Sequence, residues 1–262
     1  MLAAAWNSAA AEDRAEDGRL PWAMAGRDSG GVNAPDLLAM VAHDLRAPLA
    51  VLATASELLV EDADVLDRAQ IRRMAGAIRR GTLWTQALVE NLLCAATVRE
   101  GQLRLRPAPL DVLALALEMR ALVEPLLEQK GLQVRVTARG GVAEVSADGR
   151  RIGQVLVNLI ANAIKVAEPG TTILVTVAGG PDGVRVAVAD RGSGFPSDGA
   201  ARLFEPFYRA EGAAGDGVGL GLAIVRWLAE AHGGRVGAAN RRGGGACVWF
   251  ELPRGSAAEA ES

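Results

Sequence analysis

The sequence predicts a helical hairpin followed by an α/β domain, and three observations carry this prediction. From Asp36 to Ala95, apolar residues recur every three or four positions, which is the spacing of helices that bury one face. Beyond Gly101, short apolar segments alternate with helical ones, as in mixed α/β folds. Half of the 262 residues are hydrophobic but only 4% are aromatic, so we expect aliphatic cores. The length allows one large domain or two modest ones.

The first 100 residues contain two predicted helices joined by the polar connection EDADVLD. The first begins at about Asp36, with Pro35 just at its start, where a helix tolerates proline. Its stripe consists of Leu38, Val41, Leu45, Leu49, Leu52, Ser56 and Leu59. The stripe of the second consists of Ile71, Met74, Ile78, Gly81, Thr85, Leu88, Leu92 and Ala95, a heptad seam roughly 36 Å long. One hairpin leaves such a stripe half covered, so residues 35–100 predict a homodimeric four-helix bundle. Packing on the chain's own second domain is the alternative.

Residues 101–254 read as an α/β domain, between a flexible extension at 1–34 and a polar tail at 255–262. Strands are expected at LRLR (103–106), LQVRVTA (132–138), AEVSA (143–147), TTILVTVA (171–178), GVRVAVAD (183–190) and ACVWFELP (246–253). Helices are expected over 110–130, over 150–167 with Asp148 as cap, and over 220–232.

Composition argues against several classes of protein. The formal net charge of −3 gives no bulk attraction to nucleic acid or to an anionic membrane. No uncharged apolar run is long enough to cross a bilayer, and the acidic N-terminus does not resemble a signal peptide, so we expect a cytoplasmic protein with no membrane segment. Cys94 and Cys247 are expected to be apolar packing residues, with a redox role for Cys94 as the alternative.

The segment VNLIANAIKV places polar side chains on an otherwise apolar helix. Asn158, Asn162 and Lys165 fall at i, i+4 and i+7 and therefore share one face. Amide oxygens suit a hard cation such as Mg²⁺, and a lysine suits phosphate groups. A solvated polar face is the alternative interpretation.

Two glycine-rich segments follow. In ADRGSGF, Asp190 ends a strand, and the glycines after it allow a ligand to approach the backbone. In GDGVGLGLAIVRWL, glycines precede a helix start, where free N–H groups bind anions. Between them lies LFEPFYRAEG, with Arg209, which we interpret as an anchored lid or as a structural loop. The amide-bearing helix, the turn after Asp190 and the glycine-rich helix start, in this order along the chain, predict a site for a nucleoside triphosphate with Mg²⁺.

Over residues 36–254 the chain resembles the sensor histidine kinases of two-component systems. MVAHDLRAPLA resembles the H box of that family, NLIANAIK the N box, DRGSG the G1 box, LFEPFYRAEG the F box and GDGVGLGLAIV the G2 box. The resemblance implies a dimerisation and phosphotransfer hairpin, then a Bergerat-type α/β sandwich like that of gyrase, Hsp90 and MutL. It also implies ATP and Mg²⁺ as ligands.

The resemblance assigns roles by position. His43 would accept the γ-phosphoryl group, Asp44 would be its base, and Arg209 would steady the γ-phosphate. Asn162, assisted by Asn158, would hold Mg²⁺. Lys165 would contact phosphate, and Asp190 would bind the adenine amine. The nucleotide pocket and its lid would be formed by Gly192, Gly194, Gly217, Gly219, Leu220, Gly221 and Leu222.

Helix geometry supports His43 as the acceptor, because it lies midway between the seam residues Val41 and Leu45 and points away from the seam. Pro48 removes one helical hydrogen bond and predicts a local kink.

The other histidine, His232, precedes two glycines at a helix end and is interpreted as a structural residue.

Four positions depart from the family's usual pattern. The G1 box reads DRG instead of DNG, and Val166 and Ala167 follow the N box where an aromatic residue and then Ser or Thr are common. Ala47 stands one helical turn after His43, where many relatives have Thr or Asn that orients the water for dephosphorylating the regulator. We therefore expect weak phosphatase activity.

The leading hypothesis is a kinase that autophosphorylates His43 and passes the group to an aspartate of a response regulator. Alternatives are a nucleotide-binding pseudokinase that docks regulators, and an anti-sigma serine kinase, whose class lacks the histidine-bearing hairpin. Either a separate sensor protein supplies the stimulus or the chain is part of a longer product. The sequence also leaves open whether phosphorylation occurs within or between subunits.

Overall fold

The structure is a computed structural model, which describes residues 34–62, 64–128, 130–141, 144–196, 199–200, 202–209 and 218–255. The predicted extension lies outside these ranges up to residue 33, as do Gly217 and the tail from residue 256. The predicted fold class is confirmed: a helical hairpin precedes a sheet covered by helices.

The hairpin consists of helix α1 (Ala34–Glu61) and helix α2 (Arg68–Arg99). A capping box starts α2: Gln70 N donates to Asp67 Oδ1, and Asp67 N donates to Gln70 Oε1, both at 2.7 Å. The two helices approach closely at Gly81, where a Cβ atom would lie 2.9 Å from Leu52 Cγ and 3.2 Å from the Pro48 carbonyl oxygen. This contact fixes the register of the antiparallel pair.

Only part of the predicted stripe is buried within one chain. The most buried residues of α1 are Asp44, Pro48 and Ala55, spaced as one helix face. In contrast, Leu49 is 49% exposed and Ile71 is 41% exposed, although both were expected in the seam. The apolar surface that α1 and α2 leave exposed includes Leu49, Val51, Leu58, Val60, Ile71, Val89 and Leu93.

The second part of the chain is built on a five-stranded sheet in the order β2-β4-β5-β7-β6, with only the β2–β4 pair parallel. The strands are β2 (Gln133–Gly140), β4 (Thr172–Gly180), β5 (Gly183–Ala189), β6 (Arg235–Asn240) and β7 (Ala246–Pro253). A separate antiparallel pair joins β1 (Ala108–Asp111) to β3 (Glu144–Ala147). Helices α3 (Val112–Glu128), α4 (Gly149–Val166) and α5 (Gly221–Ala231) pack on the sheet.

The core lies between these helices and one face of the sheet. Alternate strand residues are buried there, as period-two side-chain geometry requires. Its largest buried side chains include Phe250, Ile173, Ile152, Leu156, Ile160, Ile224 and Leu228. The aliphatic core expected from the composition is therefore present, and Phe250 is among its largest fully buried side chains.

One predicted strand is wrong, and one observed strand was not predicted. LRLR is not a strand; the chain enters the sheet pair later, at β1, where Ala108 aligns with Ala147. The edge strand β6 was not predicted, because its glycine interrupts the apolar alternation. Gly237 is required there, since a Cβ atom would lie 2.2 Å from the Trp249 ring. None of the described helices is both long and apolar enough to span a membrane.

Candidate functional site

Helix α4 carries the predicted amide face and is held at both ends. Asp148 caps its start by accepting a hydrogen bond from Arg151 N at 3.1 Å. At its end, Lys130 Nζ donates to the carbonyl oxygens of Ile164 and Lys165, at 2.8 and 2.7 Å. An ammonium group at a helix C-terminus satisfies orphan carbonyls and complements the helix dipole. Sequence reasoning found Asp148 but not Lys130.

A cavity of about 680 Å³ lies along α4 and brings most of the predicted residues together. This volume suits a ligand of nucleotide size. The predicted residues that line it are Asp44, Asn158, Asn162, Lys165, Asp190, Gly194, Arg209, Gly219, Leu220, Gly221 and Leu222. His43 and Gly192 are not among the lining residues, and Gly217 is outside the described ranges.

Asp190 is 4% exposed, and two backbone N–H groups, one in the following turn and one at the start of β7, orient its carboxylate. Its Oδ1 accepts hydrogen bonds from Gly192 N at 2.8 Å and from Ala246 N at 3.1 Å. Because both bonds use Oδ1, they set the direction in which Oδ2 points. Val248 and Leu220 line the same cavity and supply apolar surface.

Glycine is required sterically at two predicted positions. A Cβ atom on Gly192 would lie 2.3 Å from the Val166 carbonyl oxygen, so this turn packs directly on the end of α4. Gly219 has φ of 76°, and a Cβ atom there would lie 2.8 Å from the Phe207 backbone. Phe207 N also donates to the Gly219 carbonyl oxygen at 3.1 Å. The aromatic segment is thereby anchored to the start of α5.

The start of α5 faces the cavity. Leu220 occupies the N-cap position and makes no side-chain capping bond. The first N–H groups of a helix have no intrahelical partner, so they form an anion-binding end at Gly221 and Leu222. Gly221 itself is not sterically forced, because a Cβ atom there would lie 3.6 Å from Asn158 Oδ1, an ordinary contact.

Two residues that sequence reasoning missed hold the turn after Asp190. Asn240, at the end of β6, donates from Nδ2 to the Phe195 carbonyl oxygen at 2.6 Å and accepts from Phe195 N at 3.0 Å. The Arg241 guanidinium donates to the Asp190 carbonyl oxygen. Asn240 is the last residue of the unpredicted strand and Arg241 follows it, so no sequence pattern indicated them.

On α1, His43 and Asp44 differ sharply in burial. The His43 side chain is 61% exposed, as its position between two seam residues predicted, whereas that of Asp44 is only 9% exposed. His43 Nδ1 lies 3.4 Å from Asp44 Oδ1. An Nδ1–H that faces a carboxylate leaves the lone pair on Nε2.

A buried cluster of three amides joins α2 to α4. Asn91 Nδ2 donates to Asn158 Oδ1 at 2.7 Å, and Asn158 Nδ2 donates back to Asn91 Oδ1 at 3.0 Å. Gln154 Nε2 donates to Asn91 Oδ1 at 3.1 Å. The oxygen and the nitrogen of the Asn158 amide are therefore both hydrogen-bonded to Asn91. Asn162 also lines the cavity and lies outside this three-amide cluster. In the sequence, the sign of this cluster was Asn91 itself, a single amide within the mainly apolar segment LVENLL.

A second contact joins the same two helices. Lys165 Nζ lies 4.4 Å from the centre of the Trp84 ring, a cation–π distance. Trp84 and Asn91 are two turns apart on α2 and line the same cavity. The hairpin therefore forms one wall of the cavity.

His232 has the structural position that its sequence context predicted. It is the C-cap of α5; its Nδ1 contacts the Leu228 carbonyl oxygen at 2.7 Å, and its Nε2 accepts from Asp148 N at 3.0 Å. Burial lowers the pKa of His232, outweighing the opposite effects of the Leu228 carbonyl and the Asp148 carboxylate. The neutral ring links the end of α5 to the cap of α4.

The cysteines are free thiols in packed surroundings. Cys94 is 1% exposed, and burial raises its pKa; burial also raises the pKa of Cys247. Higher pKa values favour the unreactive thiol form, in agreement with packing roles.

Comparisons with known proteins identify both parts of the chain. Residues 36–101 match the His Kinase A (phospho-acceptor) domain family. Residues 147–256 match the histidine kinase-, DNA gyrase B- and HSP90-like ATPase family. The sensor protein KdpD of Clostridium acetobutylicum is 33% identical over 231 residues, which are 84% of this chain and 24% of that protein.

Solved structures agree with these matches. ShkA, crystallised at full length with AMPPNP, is 31% identical with a TM-score of 0.56, covering 87% of this chain and 47% of that one. ThkA in complex with its response regulator protein TrrA is 25% identical with a TM-score of 0.55, covering 84% and 61%. The catalytic domain of ThkA alone is 30% identical with a TM-score of 0.52, covering 57% and 96%.

The fold, the site and these matches define the class: the chain belongs to the sensor histidine kinases of two-component systems. It spans between 24% and 56% of the length of the curated relatives KdpD and SasA.

Proposed function

We propose that this chain uses ATP to phosphorylate His43 and then passes the phosphoryl group to an aspartate of a response regulator. One observation carries the proposal: Asp44, the neighbour of His43, lines the same cavity as Asn162, Lys165 and Asp190. A carboxylate, an amide and an ammonium group suit adenine, a hard cation and phosphate respectively.

The residues present fit a magnesium–nucleotide complex. The Asn162 amide oxygen and the triphosphate are hard ligands, and Mg²⁺ normally keeps several waters. Asn162 would hold the ion, and the nucleotide phosphates and water would supply further oxygen ligands. When bound, Mg²⁺ neutralises charge on the phosphates. Lys165 and the α5 start bind the phosphates, and Asp190 Oδ2 accepts from the adenine amine.

In the transfer step, His43 Nε2 attacks the γ-phosphorus while the bond to the bridging oxygen breaks, and ADP leaves with that electron pair. Asp44 holds the Nδ1 proton and accepts it as positive charge develops on the ring. Arg209 lines the cavity and is assigned to the γ-phosphate. The receiving aspartate then attacks the phosphorus and displaces the imidazole.

The partners follow from the relatives. We assign homodimerisation to the hairpin of residues 35–100, because its family is the phospho-acceptor domain and its apolar surface is exposed in one chain. A response regulator receiver domain is the proposed acceptor, since ThkA was solved with TrrA. We further propose weak phosphatase activity, because Ala47 is exposed on α1 and has no hydrogen-bonding group to orient water.

Incubation with γ-labelled ATP and Mg²⁺ tests the function. We expect acid-labile, base-stable label on the wild-type protein, and none above background on the variants His43→Ala and Asn162→Ala. The chain has two histidines, so label that persists in His43→Ala would place the acceptor elsewhere and contradict the assignment. Nucleotide binding without any label on the wild type would instead favour a pseudokinase.

A further inference from the structure

We propose that His43 is phosphorylated by the ATP site of its own subunit rather than by that of the partner. The inference rests on the proposed function and adds the identity of the acceptor: within a dimer, two copies of His43 are available to each ATP site. Two features of the chain hold its catalytic part beside α2 at the level of His43, and a third favours the copy of His43 on the same chain.

The first feature is the short connection between the hairpin and the catalytic part. Gln102 N still donates to the Thr97 carbonyl oxygen at 2.9 Å, which ties residue 102 to the end of α2. Arg106 N already donates to Asp148 Oδ2 at 3.0 Å, which ties residue 106 to the cap of α4. Between these anchors the backbone can span at most about 14 Å. The catalytic part therefore stays beside its own α2.

The second feature is the position along the hairpin axis, here called the height, at which α4 contacts α2. Gly81 is level with Pro48 and Leu52, so in an antiparallel pair His43 is level with positions 86 to 90 of α2. The two contacts with α4 come from Trp84 and Asn91, which bracket these positions. The amide helix thus lies against the hairpin at the height of the histidine on the same chain.

The third feature is the orientation of Asp44. Its side chain is 9% exposed, and it lines the cavity together with Lys165 and Arg209 of the same chain. Asp44 is also the carboxylate in contact with His43 Nδ1. The base proposed to assist transfer therefore already faces the ATP site of its own subunit.

The amide cluster holds α4, and with it the cavity, against α2 of the same chain. The Asn91, Asn158 and Gln154 amides are all at most 9% exposed, and their three hydrogen bonds would be broken if α4 left α2. Buried polar groups that lose their partners are costly. The cavity is therefore held where Asp44 of its own chain lines it.

Two mixed dimers test the inference with opposite expectations. The first pairs a His43→Ala subunit, which keeps its ATP site, with an Asn162→Ala subunit, which keeps its histidine. The second pairs a wild-type subunit with a His43→Ala/Asn162→Ala subunit. Two different affinity tags isolate each mixed dimer after co-expression, and a size difference identifies the labelled subunit.

For transfer within the subunit, we expect background label on the first mixed dimer and about half of the wild-type label per dimer on the second. Strong label on the first and none on the second would overturn the inference. Circular dichroism and dimer size confirm that each variant is folded. If the wild-type homodimer takes no label, the proposed function fails instead. If neither Asn162→Ala nor Asp190→Ala silences a homodimer, the assigned ATP site is wrong.

Discussion

At the scale of single residues, the environment of His43 is consistent with its proposed role as the nucleophile. The imidazole is open to solvent on one side, whereas the carboxylate beside it is almost fully buried. A buried carboxylate has little freedom to rotate away, so it holds one ring tautomer. The nitrogen that remains, Nε2, is then the one available to phosphorus.

Ala47 carries the first prediction. The substitution Ala47→Thr introduces a hydroxyl one turn after His43, on a surface that is exposed in the structure. We expect the ADP-stimulated dephosphorylation of a phosphorylated cognate regulator to rise about tenfold, because a positioned water reacts faster. Ala50→Thr, three residues further on the same helix and also exposed, is the control and should leave the rate unchanged. Rapid dephosphorylation by the wild type would contradict the proposal.

His232 carries a prediction about pH. Its pKa is lowered in the folded protein, so the unfolded chain binds more protons between the folded value and about 6.5. Stability should therefore be fully present above that range and decrease as the pH falls through it. The bond from Asp148 N to His232 Nε2 is lost on protonation, at a cost of about 1 kcal/mol.

The measurement is the free energy of unfolding by denaturant at about pH 7.5 and about pH 5.5, on either side of the ordinary value. His232→Gln cannot titrate, so its stability should change less over this range than that of the wild type. The lowered pKa of Asp148 acts at more acidic pH in both proteins, because backbone N–H donors outweigh its burial. Equal pH dependence in the two proteins would refute the assignment.

At the scale of elements, α4 owes its position to contacts at both of its ends. Asp148 and His232 fix its start, and Lys130 fixes its last turn, next to the residue assigned to phosphate. The glycine turn after Asp190 packs on the same last turn, through Gly192 and the Val166 carbonyl. Shifts at this end of α4 would therefore affect both Lys165, assigned to phosphate, and Asp190, assigned to adenine.

We predict that Lys130→Met lowers stability by about 1–2 kcal/mol, because two charge-assisted hydrogen bonds are lost, and that it weakens ATP binding. Arg120→Met is the control: Arg120 makes only an exposed ion pair with Glu124 at 3.8 Å, which contributes little. Denaturant unfolding and nucleotide titration measure both effects. Equal losses in the two variants would show that Lys130 acts only as a surface charge.

At the scale of the whole molecule, one face of the hairpin is in contact with the catalytic part and another is exposed. One face of α2 contacts α4 through Trp84 and Asn91. Elsewhere, Leu49 and Leu93 leave apolar surface exposed on the hairpin. Such surface, continued along both helices, is typical of a protein interface.

We predict that Leu49→Glu shifts the dimer toward monomer, with at least about a tenfold rise in the dissociation constant, which is about 1.4 kcal/mol. Leu117→Glu is the matched control, because Leu117 is 48% exposed on α3, outside the hairpin, compared with 49% for Leu49. Light scattering after gel filtration gives the mass of each. A dimer that tolerates Leu49→Glu as well as Leu117→Glu would exclude this face as the interface.

The sequence by itself determined the elements whose signals are local. The cap at Asp148, the seam near Gly81 and the face shared by Asn162 and Lys165 depend on spacing within one segment, and the structure places them as expected. The exposure of His43 was equally predictable, because the direction of a side chain on a helix follows from the positions of its neighbours.

Only the tertiary structure decided which distant segments meet. Asn91 and Asn158 are 67 positions apart, and Asn240 reaches Phe195 across 45. Strand β6 was not predicted because Gly237 interrupts its apolar alternation, and glycine is required at that position by the close packing of the Trp249 ring. Contacts of this kind depend on how helices and strands pack, which no periodicity within a segment encodes. The sequence therefore predicted an acceptor histidine and a set of nucleotide residues, whereas only the tertiary structure showed that Asp44 lines the same cavity as Asn162, Lys165 and Asp190.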